Sequence, residues 1–483
     1  MYLGLDLGTS GIRAVLVDAD GRVTAAAEAS YGVQHPAPGW SEQDPADWIA
    51  GCSEAVAKLR EAEPTGFAAI RAIGLAGHMH GATLLDAAGD VLRPCILWND
   101  TRAAAEAADL DAAVDVRALS GNIVFPGFTA PKLRWVETHE PEIFDKIAKV
   151  LLPKDYLRFW LTGDYVAEMS DAAGTTWLDV GARAWSDRLL QAGHMRRDQM
   201  PDLVEGSSPS DQLRDALRSE WGLDHAVIVA GGGGDNAAAA CGVGCLQEGQ
   251  GFVSLGTSGV LLAARDSFAP EPATAVHTFC HAVPDRWYQM GVILAATDCL
   301  NWLARTMDAQ AADLAARLPD RVDGPSDLLF LPYLSGERTP HNDAAIRGAF
   351  VGLDIGADRN ALTAAVMEGV SFALRDSLEA LRATGADLSS VLAIGGGTRS
   401  RFWLESLATI LGLPLRRPAD GEFGAALGAA RLGMAADGAA IDQIMTPPPV
   451  SETIDPRDDL RPAYDAAYAR YRSLYPNIKA ALT

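Results

Sequence analysis

Basic residues are scarce relative to acidic ones in this chain of 483 residues. There are 40 Lys and Arg against 63 Asp and Glu, which gives a net charge of −23 at pH 7. A surface this acidic repels phosphate backbones and anionic lipids. We therefore expect neither nucleic acid nor a membrane as a partner. Any anionic ligand must be held locally, by backbone amides, a helix end or a metal ion.

Cysteines and long apolar runs are also few. The six cysteines include no Cys-x-x-Cys pair, which excludes a disulfide framework and favours buried thiols. No charge-free apolar stretch approaches 18 residues, and the N-terminus lacks a basic segment before its first apolar run. These absences argue against a membrane span or a signal peptide. We therefore expect a protein of the reducing cytoplasm.

What the sequence does contain is a repeat. DLGTSG at 6–11 returns as SLGTSG at 254–259, and apolar runs typical of paired strands flank both copies. The segments 225–244 and 391–412 also match: each is a β-branched run, a glycine cluster and a helical pattern. The order of features predicts a duplicated α/β chain with domains at 1–246 and 247–483. The first half is longer between these features, and we expect the substrate site in its extra residues.

Short Gly/Thr/Ser turns can present several donors to a phosphate. One such turn by itself is better explained as an ordinary hairpin turn, but two copies at equivalent places favour phosphate sites containing Thr9, Ser10, Gly256 and Thr257. A polyphosphate needs a divalent cation, for which one carboxylate is a sufficient anchor. Asp6 precedes the first turn, where the second copy has a serine. Asp6 is therefore a candidate Mg²⁺ anchor, and a simple turn-capping role stays open.

The glycine clusters indicate two further functions. Gly396 and Gly397 stand between a strand and a helix, where a nucleotide could lie against the backbone. No Lys follows these glycines, so the pattern is not a P-loop. Asp235 follows four glycines at a predicted helix start. It could accept a proton from an attacking hydroxyl, with Asn236 orienting the substrate, or it could simply cap the helix.

Several longer stretches resemble the FGGY carbohydrate kinases, which belong to the actin/hexokinase/Hsp70-like ATPase superfamily. GFTAPKLRWVETHE at 127–140 and RGAFVGLDIGADRNALTAAVMEGVSFAL at 347–374 resemble the two family signatures. Further stretches resemble the members that phosphorylate D-xylulose: GHMHGATLLD (77–86), RPCILWNDTR (93–102), LLPKDYLR (151–158), MSDAAGTTWLDV (169–180) and FLPYLSGERTPHN (330–342). The resemblance implies two duplicated ribonuclease-H-like (actin-like ATPase) α/β domains with an interdomain cleft.

The resemblance also implies an activity: ATP-dependent phosphorylation of D-xylulose to D-xylulose 5-phosphate, with Mg²⁺, in a homodimer. The implied roles are the general base for Asp235; sugar contacts for Met79, His80, Asp235 and Asn236; phosphate or ATP contacts for Thr9, Ser10, Gly256, Thr257, Gly396, Gly397 and Ser400; and the metal anchor for Asp6. His78 departs from the family pattern, which usually has Gln there. This departure concerns one of the expected contacts with a sugar hydroxyl.

Three interpretations remain open at this point. The acceptor could be another ketose or polyol, such as ribulose, glycerol or gluconate. The same domain pair could also belong to an actin- or Hsp70-like ATPase that binds another protein. Within the chain, the polar residues Asn99, Asp100 and Arg102 beside Trp98 suit a sugar pocket as well as they suit an ordinary loop.

Overall fold

A computed structural model describes residues 1–113, 115–419 and 424–482. The strands in these residues are, in chain order, β1 (Tyr2–Leu7), β2 (Gly11–Val17), β3 (Val23–Ser30), β4 (Glu42–Gln43), β5 (Ala72–Gly77), β6 (Thr83–Leu85), β7 (Cys95–Ile96), β8 (Lys149–Leu151), β9 (Val166–Glu168), β10 (Leu178–Asp179), β11 (Ala184–Trp185), β12 (Asp202–Val204), β13 (Pro209–Gln212), β14 (Ile228–Ala230), β15 (Gly233–Gly234), β16 (Gly251–Leu255), β17 (Gly259–Arg265), β18 (His277–Cys280), β19 (Trp287–Ile293), β20 (Leu329–Leu331), β21 (Ala349–Val351), β22 (Val391–Ile394), β23 (Leu415–Pro418) and β24 (Val450–Ile454).

The helices in the same residues are α1 (Pro45–Ala62), α2 (Pro64–Ala68), α3 (Ala104–Asp111), α4 (Val116–Ser120), α5 (Thr129–His139), α6 (Pro141–Phe144), α7 (Pro153–Thr162), α8 (Met169–Ala172), α9 (Asp187–Ala192), α10 (Asp215–Trp221), α11 (Asp235–Gly242), α12 (Thr297–Thr306), α13 (Ala311–Ala315), α14 (Arg359–Ala383), α15 (Arg401–Leu411), α16 (Ala425–Ala436), α17 (Ile441–Ile444) and α18 (Arg461–Leu482). Among them, no helix combines the length and the apolar character that crossing a membrane requires.

Two seven-stranded sheets form the centres of the two halves. The first has the order β13-β14-β5-β1-β2-β3, with β15 also paired to β5, and the second has the order β18-β19-β17-β16-β22-β23-β24. In both, an antiparallel hairpin made by the repeated Gly/Thr/Ser turn is followed on one side by two parallel strands. The predicted duplication of an α/β core is therefore present in the sheet topology.

The topology corrects the alignment of the repeat. Strand β22 runs parallel to β16, in the place that β5 takes beside β1. Strand β14 lies one place further out and corresponds to β23. The match between 225–244 and 391–412 was therefore wrong: 391–394 corresponds to 72–77. Both segments are parallel strands that lead through glycines into a helix, and this shared local pattern does not specify a place in a sheet.

Helix α16, near the C-terminus, packs on the sheet of the first half. Its residues Ala426, Leu427, Ala430 and Met434 form one buried cluster with side chains of β1, β2 and β5. The approach is close because glycines face it: a Cβ at Gly74 would lie 1.7 Å from the carbonyl oxygen of Ala429. Small residues at this crossing therefore let helix and strand backbones touch. The division of the chain at 246/247 remains a prediction.

Helices α11 and α16 also pack directly on one another, at the base between the halves. A Cβ at Gly428 would lie 1.7 Å from the carbonyl oxygen of Ala238. Apolar side chains from both halves continue into one buried cluster that includes Met79, Ala240, Phe279 and Leu432. The residue that opens α11 is Asp235, so this packing determines where that carboxylate lies.

The C-terminal helix α18 packs on the second half. Tyr464, Tyr468 and Tyr471 are buried in the same cluster as Phe372 of α14. The Tyr464 hydroxyl donates to Glu368 at 3.1 Å, and the Tyr468 hydroxyl donates to Asp376 at 2.6 Å. The phenol rings supply apolar area and their hydroxyls satisfy buried carboxylates.

Candidate active site

The first Gly/Thr/Ser turn borders an open cavity. A hydrogen bond from Gly8 N to Gly11 O closes the turn at 2.9 Å. Asp6, Gly8 and Ser10 line a cavity of about 230 Å³. The Thr9 hydroxyl accepts a hydrogen bond from the Trp98 indole nitrogen at 3.0 Å, so its own hydrogen remains available to an anion.

The second turn is joined to a helix start. The carbonyl of Gly256 accepts from the Thr297 amide at 2.9 Å and from its hydroxyl at 2.8 Å. The carbonyl of Thr257 accepts from Ala296 N at 2.8 Å. These bonds anchor the turn to the beginning of α12. These hydrogen bonds consequently fix the backbone of Gly256 and Thr257 at the end of the central strands β16 and β17.

A cavity of about 580 Å³ opens next to this turn. Gly396, Gly397 and Ser400 line it, as expected for a nucleotide site. A Cβ added at Gly396 would meet no atom within 4 Å, so that glycine borders open space. The opposite wall comes from helices α12 and α13 and includes Asn301 and Ala315. Its size and mixed lining suit a nucleoside.

Asp235 is the first residue of α11, and Gly234 precedes it as the N-cap. The Asn236 amide and side-chain nitrogens donate to Asp235 Oδ1 at 2.7 and 2.8 Å. Within the described residues Oδ2 accepts no hydrogen bond. Burial raises the pKa of Asp235 to about 6, against the opposing effect of the Asn236 bonds. The site thus contains a partly desolvated carboxylate with one oxygen open to a ligand.

A buried polar network supports the turn that bears Asp235. The Ser170 hydroxyl accepts from Gly234 N at 3.0 Å and donates to Glu168 at 2.8 Å. The Arg158 guanidinium donates to Gly231 O at 2.7 Å. The charged members of the network have side chains that are 0% exposed, namely Lys154, Asp155, Arg158, Glu168 and Asp171. Because these groups hold each other in place, the glycine-rich turn is fixed on its inner side.

Met79 lies against this turn, and His80 follows it in the chain. A Cβ at Gly234 would approach Met79 Cγ to 2.9 Å, so the two are in contact. The His80 ring stacks on Phe128 with 4.5 Å between ring centroids, and its Nδ1 lies 2.8 Å from Gly174 O. Burial lowers the pKa of His80 to about 3, so the ring is neutral. Nδ1 therefore carries the hydrogen, and Nε2 is left as an acceptor.

His78 lies apart from these groups. Its ring is buried 5.7 Å from Trp48, edge to face, and neither ring nitrogen has a hydrogen-bond partner. Burial lowers its pKa to about 3. His78 is therefore a neutral core side chain here. Within the described residues, no three His, Cys, Asp or Glu groups converge on a metal position.

Comparison with known proteins agrees with this geometry. The model for the N-terminal domain of the FGGY family of carbohydrate kinases matches residues 1–242, and that for its C-terminal domain matches residues 251–436. The chain belongs to the FGGY family of carbohydrate kinases.

Full-length relatives of this kinase are known. It is 46% identical to a xylulose kinase from Escherichia coli K12 over 99% of both chains, and 45% identical to one from Klebsiella pneumoniae, covering 99% of this chain and 98% of that one. The crystal structure of a xyloylose kinase from Brucella ovis matches with a TM-score of 0.97 and 57% identity, over 99% of both chains. The fold expected from the sequence, two actin-like ATPase domains, is confirmed by these matches.

The predicted site residues lie in three groups in this kinase. Asp6, Thr9 and Ser10 belong to the first turn, and Gly256, Thr257, Gly396, Gly397 and Ser400 lie at the second turn and the large cavity. Asp235 and Asn236 begin α11, Met79 contacts Gly234 just before them, and His80 follows Met79 in the chain. Their functional roles remain predictions.

Two of the polar residues beside Trp98, for which a sugar pocket and an ordinary loop were left open, form a buried ion pair. Arg102 donates to Asp100 through two nitrogens, at 2.9 and 2.7 Å, and stacks on Trp40 at 3.7 Å. Both charged side chains are 1% exposed. Residues that sequence reasoning missed include Ser170, Asn301 and Tyr288, whose hydroxyl lies 3.9 Å from Met79 Sδ. Of these, only Ser170 lies in one of the stretches that resemble the family members acting on D-xylulose, namely 169–180.

Proposed function

We propose that this kinase transfers the γ-phosphoryl group of ATP to the 5-hydroxyl of D-xylulose, giving D-xylulose 5-phosphate and ADP. The contact between Met79 and Gly234 supports this most directly, because it brings a residue predicted to bind the acceptor next to the turn that bears Asp235. The xylulose kinases named above extend over the whole chain, which favours D-xylulose over other acceptors.

In the proposed reaction Asp235 acts as the general base. Its Oδ2 accepts the proton of the 5-hydroxyl as that oxygen bonds to the γ-phosphorus and the bond to ADP breaks. Asn236 holds Oδ1, which leaves Oδ2 directed to the substrate. A pKa of about 6 leaves most of the carboxylate ionised at pH 7.5, yet makes it more basic than an ordinary Asp. The neutral His80 ring accepts a hydrogen bond from another sugar hydroxyl through Nε2.

ATP would occupy the other two groups of residues. The cavity of about 580 Å³ beside Gly396, Gly397 and Ser400 receives the adenosine, and the turns at Thr9–Ser10 and Gly256–Thr257 hold the phosphates. Asp6 fits the role of a Mg²⁺ anchor: it is a carboxylate on the wall of the cavity that also contains Ser10, and Mg²⁺ takes its other ligands from phosphate and water. When bound there, the ion would neutralise charge on the transferred phosphoryl group.

We also propose a cytoplasmic location and a homodimer. All six cysteines are buried free thiols, which suits a reducing compartment. The homodimer rests on the family resemblance.

A panel of acceptors in a coupled ADP-release assay tests the function. The wild-type kinase is given MgATP with D-xylulose, D-ribulose, glycerol, gluconate or no sugar. The highest kcat/KM is expected with D-xylulose. A higher kcat/KM for another acceptor would show that this acceptor, and not D-xylulose, is the preferred substrate. ATP hydrolysis without sugar as the main reaction would favour an actin- or Hsp70-like ATPase.

A further inference from the structure

Lys132 is a lysine in an unusual environment. It lies on α5, and its side chain is completely buried. Its ammonium donates to the carbonyl oxygen of His80 at 2.8 Å. Among the residues that the structure describes, no carboxylate lies within 4.0 Å of it to form an ion pair. Burial lowers the pKa of Lys132 to about 7. A buried ammonium without a counter-ion destabilises a fold, so this one requires another reason for its presence.

The carbonyl that it binds belongs to a residue in an uncommon backbone conformation. His80 has φ = 70°, in the left-handed region that few residues other than Gly adopt, with Asn, Asp and His the most frequent among them. Such backbone conformations persist only where the surroundings hold them, and they cluster at functional sites. The Thr129 hydroxyl donates to the same carbonyl at 3.2 Å. Thr129 and Lys132 stand three residues apart on α5, so one face of the helix clamps this peptide group.

The His80 ring is held independently from its other side. Nδ1 bonds to Gly174 O at 2.8 Å, and the ring stacks on Phe128. The backbone clamp and the ring contacts together determine the direction of Nε2. If the carbonyl lost its donors, the His80–Gly81 peptide could rotate, the backbone of His80 could leave the left-handed region, and the ring could not keep both contacts. The position of Nε2 therefore depends on a residue that is not itself in the sugar pocket.

We propose that Lys132 is a positioning residue for the acceptor sugar: it holds the left-handed His80 so that Nε2 meets a sugar hydroxyl. The proposal rests on the proposed function of His80 as a sugar contact. Lysine suits the position because its long stem crosses apolar surroundings from α5 and ends in a donor that matches a single carbonyl oxygen.

The test compares Lys132→Met with wild type, using the acceptor that the wild type phosphorylates best. Methionine keeps most of the volume and removes the donor. KM for the sugar is expected to rise about tenfold or more, since small misplacements of binding groups have effects of this size. KM for ATP and the sugar-independent hydrolysis of ATP should stay within about twofold of wild type, because α5 is not in the nucleotide site. The melting temperature should not fall, since the free-energy cost of burying an ionisable amine without a counter-ion is removed.

Lys149→Met is the matched control. Lys149 also donates to backbone carbonyls, those of Asp198 at 2.8 Å and Met200 at 3.1 Å, but lies outside the site. Its kinetic constants should equal those of wild type. Lys132→Arg keeps a donor and should recover part of the sugar affinity.

Two results would overturn the proposal. One is an unchanged sugar KM in Lys132→Met; the other is a general loss of activity toward both substrates together with a lower melting temperature, which would indicate a purely structural role. His80→Ala separates this inference from the function on which it depends. If His80→Ala leaves the sugar KM unchanged, the assignment of the sugar site is wrong. If it raises that KM while Lys132→Met does not, only the role of Lys132 is wrong.

Discussion

Replacing Asp235 by Asn should abolish turnover and at the same time stabilise the fold. In the native protein burial raises the pKa of Asp235 to about 6, against an ordinary value of 3.8. The native state therefore binds the proton more tightly than the unfolded state does. Between these two pKa values the stability must fall as pH rises. The loss of stability caused by burying the ionised carboxylate is absent well below pH 3.8 and fully present well above pH 6.

The magnitude follows from the two pKa values. At pH 7.5 the ionised Asp235 destabilises the native state by about 3 kcal/mol, and at pH 5.0 by about 1.6 kcal/mol. Asn has nearly the same shape, can accept the bond from Asn236 through its amide oxygen, and carries no charge. Asp235→Asn should therefore gain up to about 3 kcal/mol at pH 7.5, and roughly half of that at pH 5.0. Without the base, kcat should fall at least about 100-fold.

Urea unfolding monitored by tryptophan fluorescence, at both pH values, measures the change in stability. Asp215→Asn is the control: Asp215 is also the first residue of a helix, α10, but its side chain is 89% exposed. That variant should be slightly less stable at pH 7.5, because it loses a favourable interaction with the helix dipole. Equal or lower stability of Asp235→Asn at pH 7.5 would refute the desolvation argument. A decrease in kcat of only a few-fold would refute the role of Asp235 as the general base.

Three further outcomes are expected. For wild type, kcat/KM for the sugar should be constant above about pH 7 and fall tenfold per unit below about pH 6, since protonated Asp235 cannot act as a base; a flat acid limb down to pH 5 would contradict this. Gly396→Val should raise KM for ATP at least about fivefold with little change in melting temperature, because the new side chain enters open space in the large cavity. An unchanged KM for ATP would contradict the proposal that adenosine binds in that cavity. Asp6→Ala should lower kcat and shift the Mg²⁺ concentration needed for half-maximal rate upward at least about tenfold, measured by Mg²⁺ titration at saturating ATP; the same Mg²⁺ response as wild type would exclude Asp6 as the anchor.

Local patterns were sufficient for much of the fold. The turns at 8–10 and 256–258 form hairpins because glycine and small polar residues stand between two largely apolar runs. Asp235 opens a helix after a glycine-rich turn, as predicted. These features depend on neighbours in the chain, so a single sequence contains the information that specifies them.

The alignment of the two halves could not be obtained in this way. Strands β5, β14, β22 and β23 are all short and form parallel pairs, and the first three are apolar runs that are followed by glycines. Their order in the sheet depends on which strand edge remains unpaired, which is a long-range property. The packing of α16 on the first sheet is also a long-range property, because only the folded chain brings Gly74 against Ala429.

The sequence by itself determined that this is a duplicated α/β kinase with one acid, at position 6, beside a repeated turn and another, at position 235, at a helix start. Only the tertiary structure decided the chemistry of these groups. Desolvation, which depends on every atom nearby, sets the basicity of Asp235 and keeps His80 neutral. The tertiary structure also places the buried amine of Lys132 on the carbonyl oxygen of His80, and no local pattern encodes which carbonyl a lysine side chain will meet.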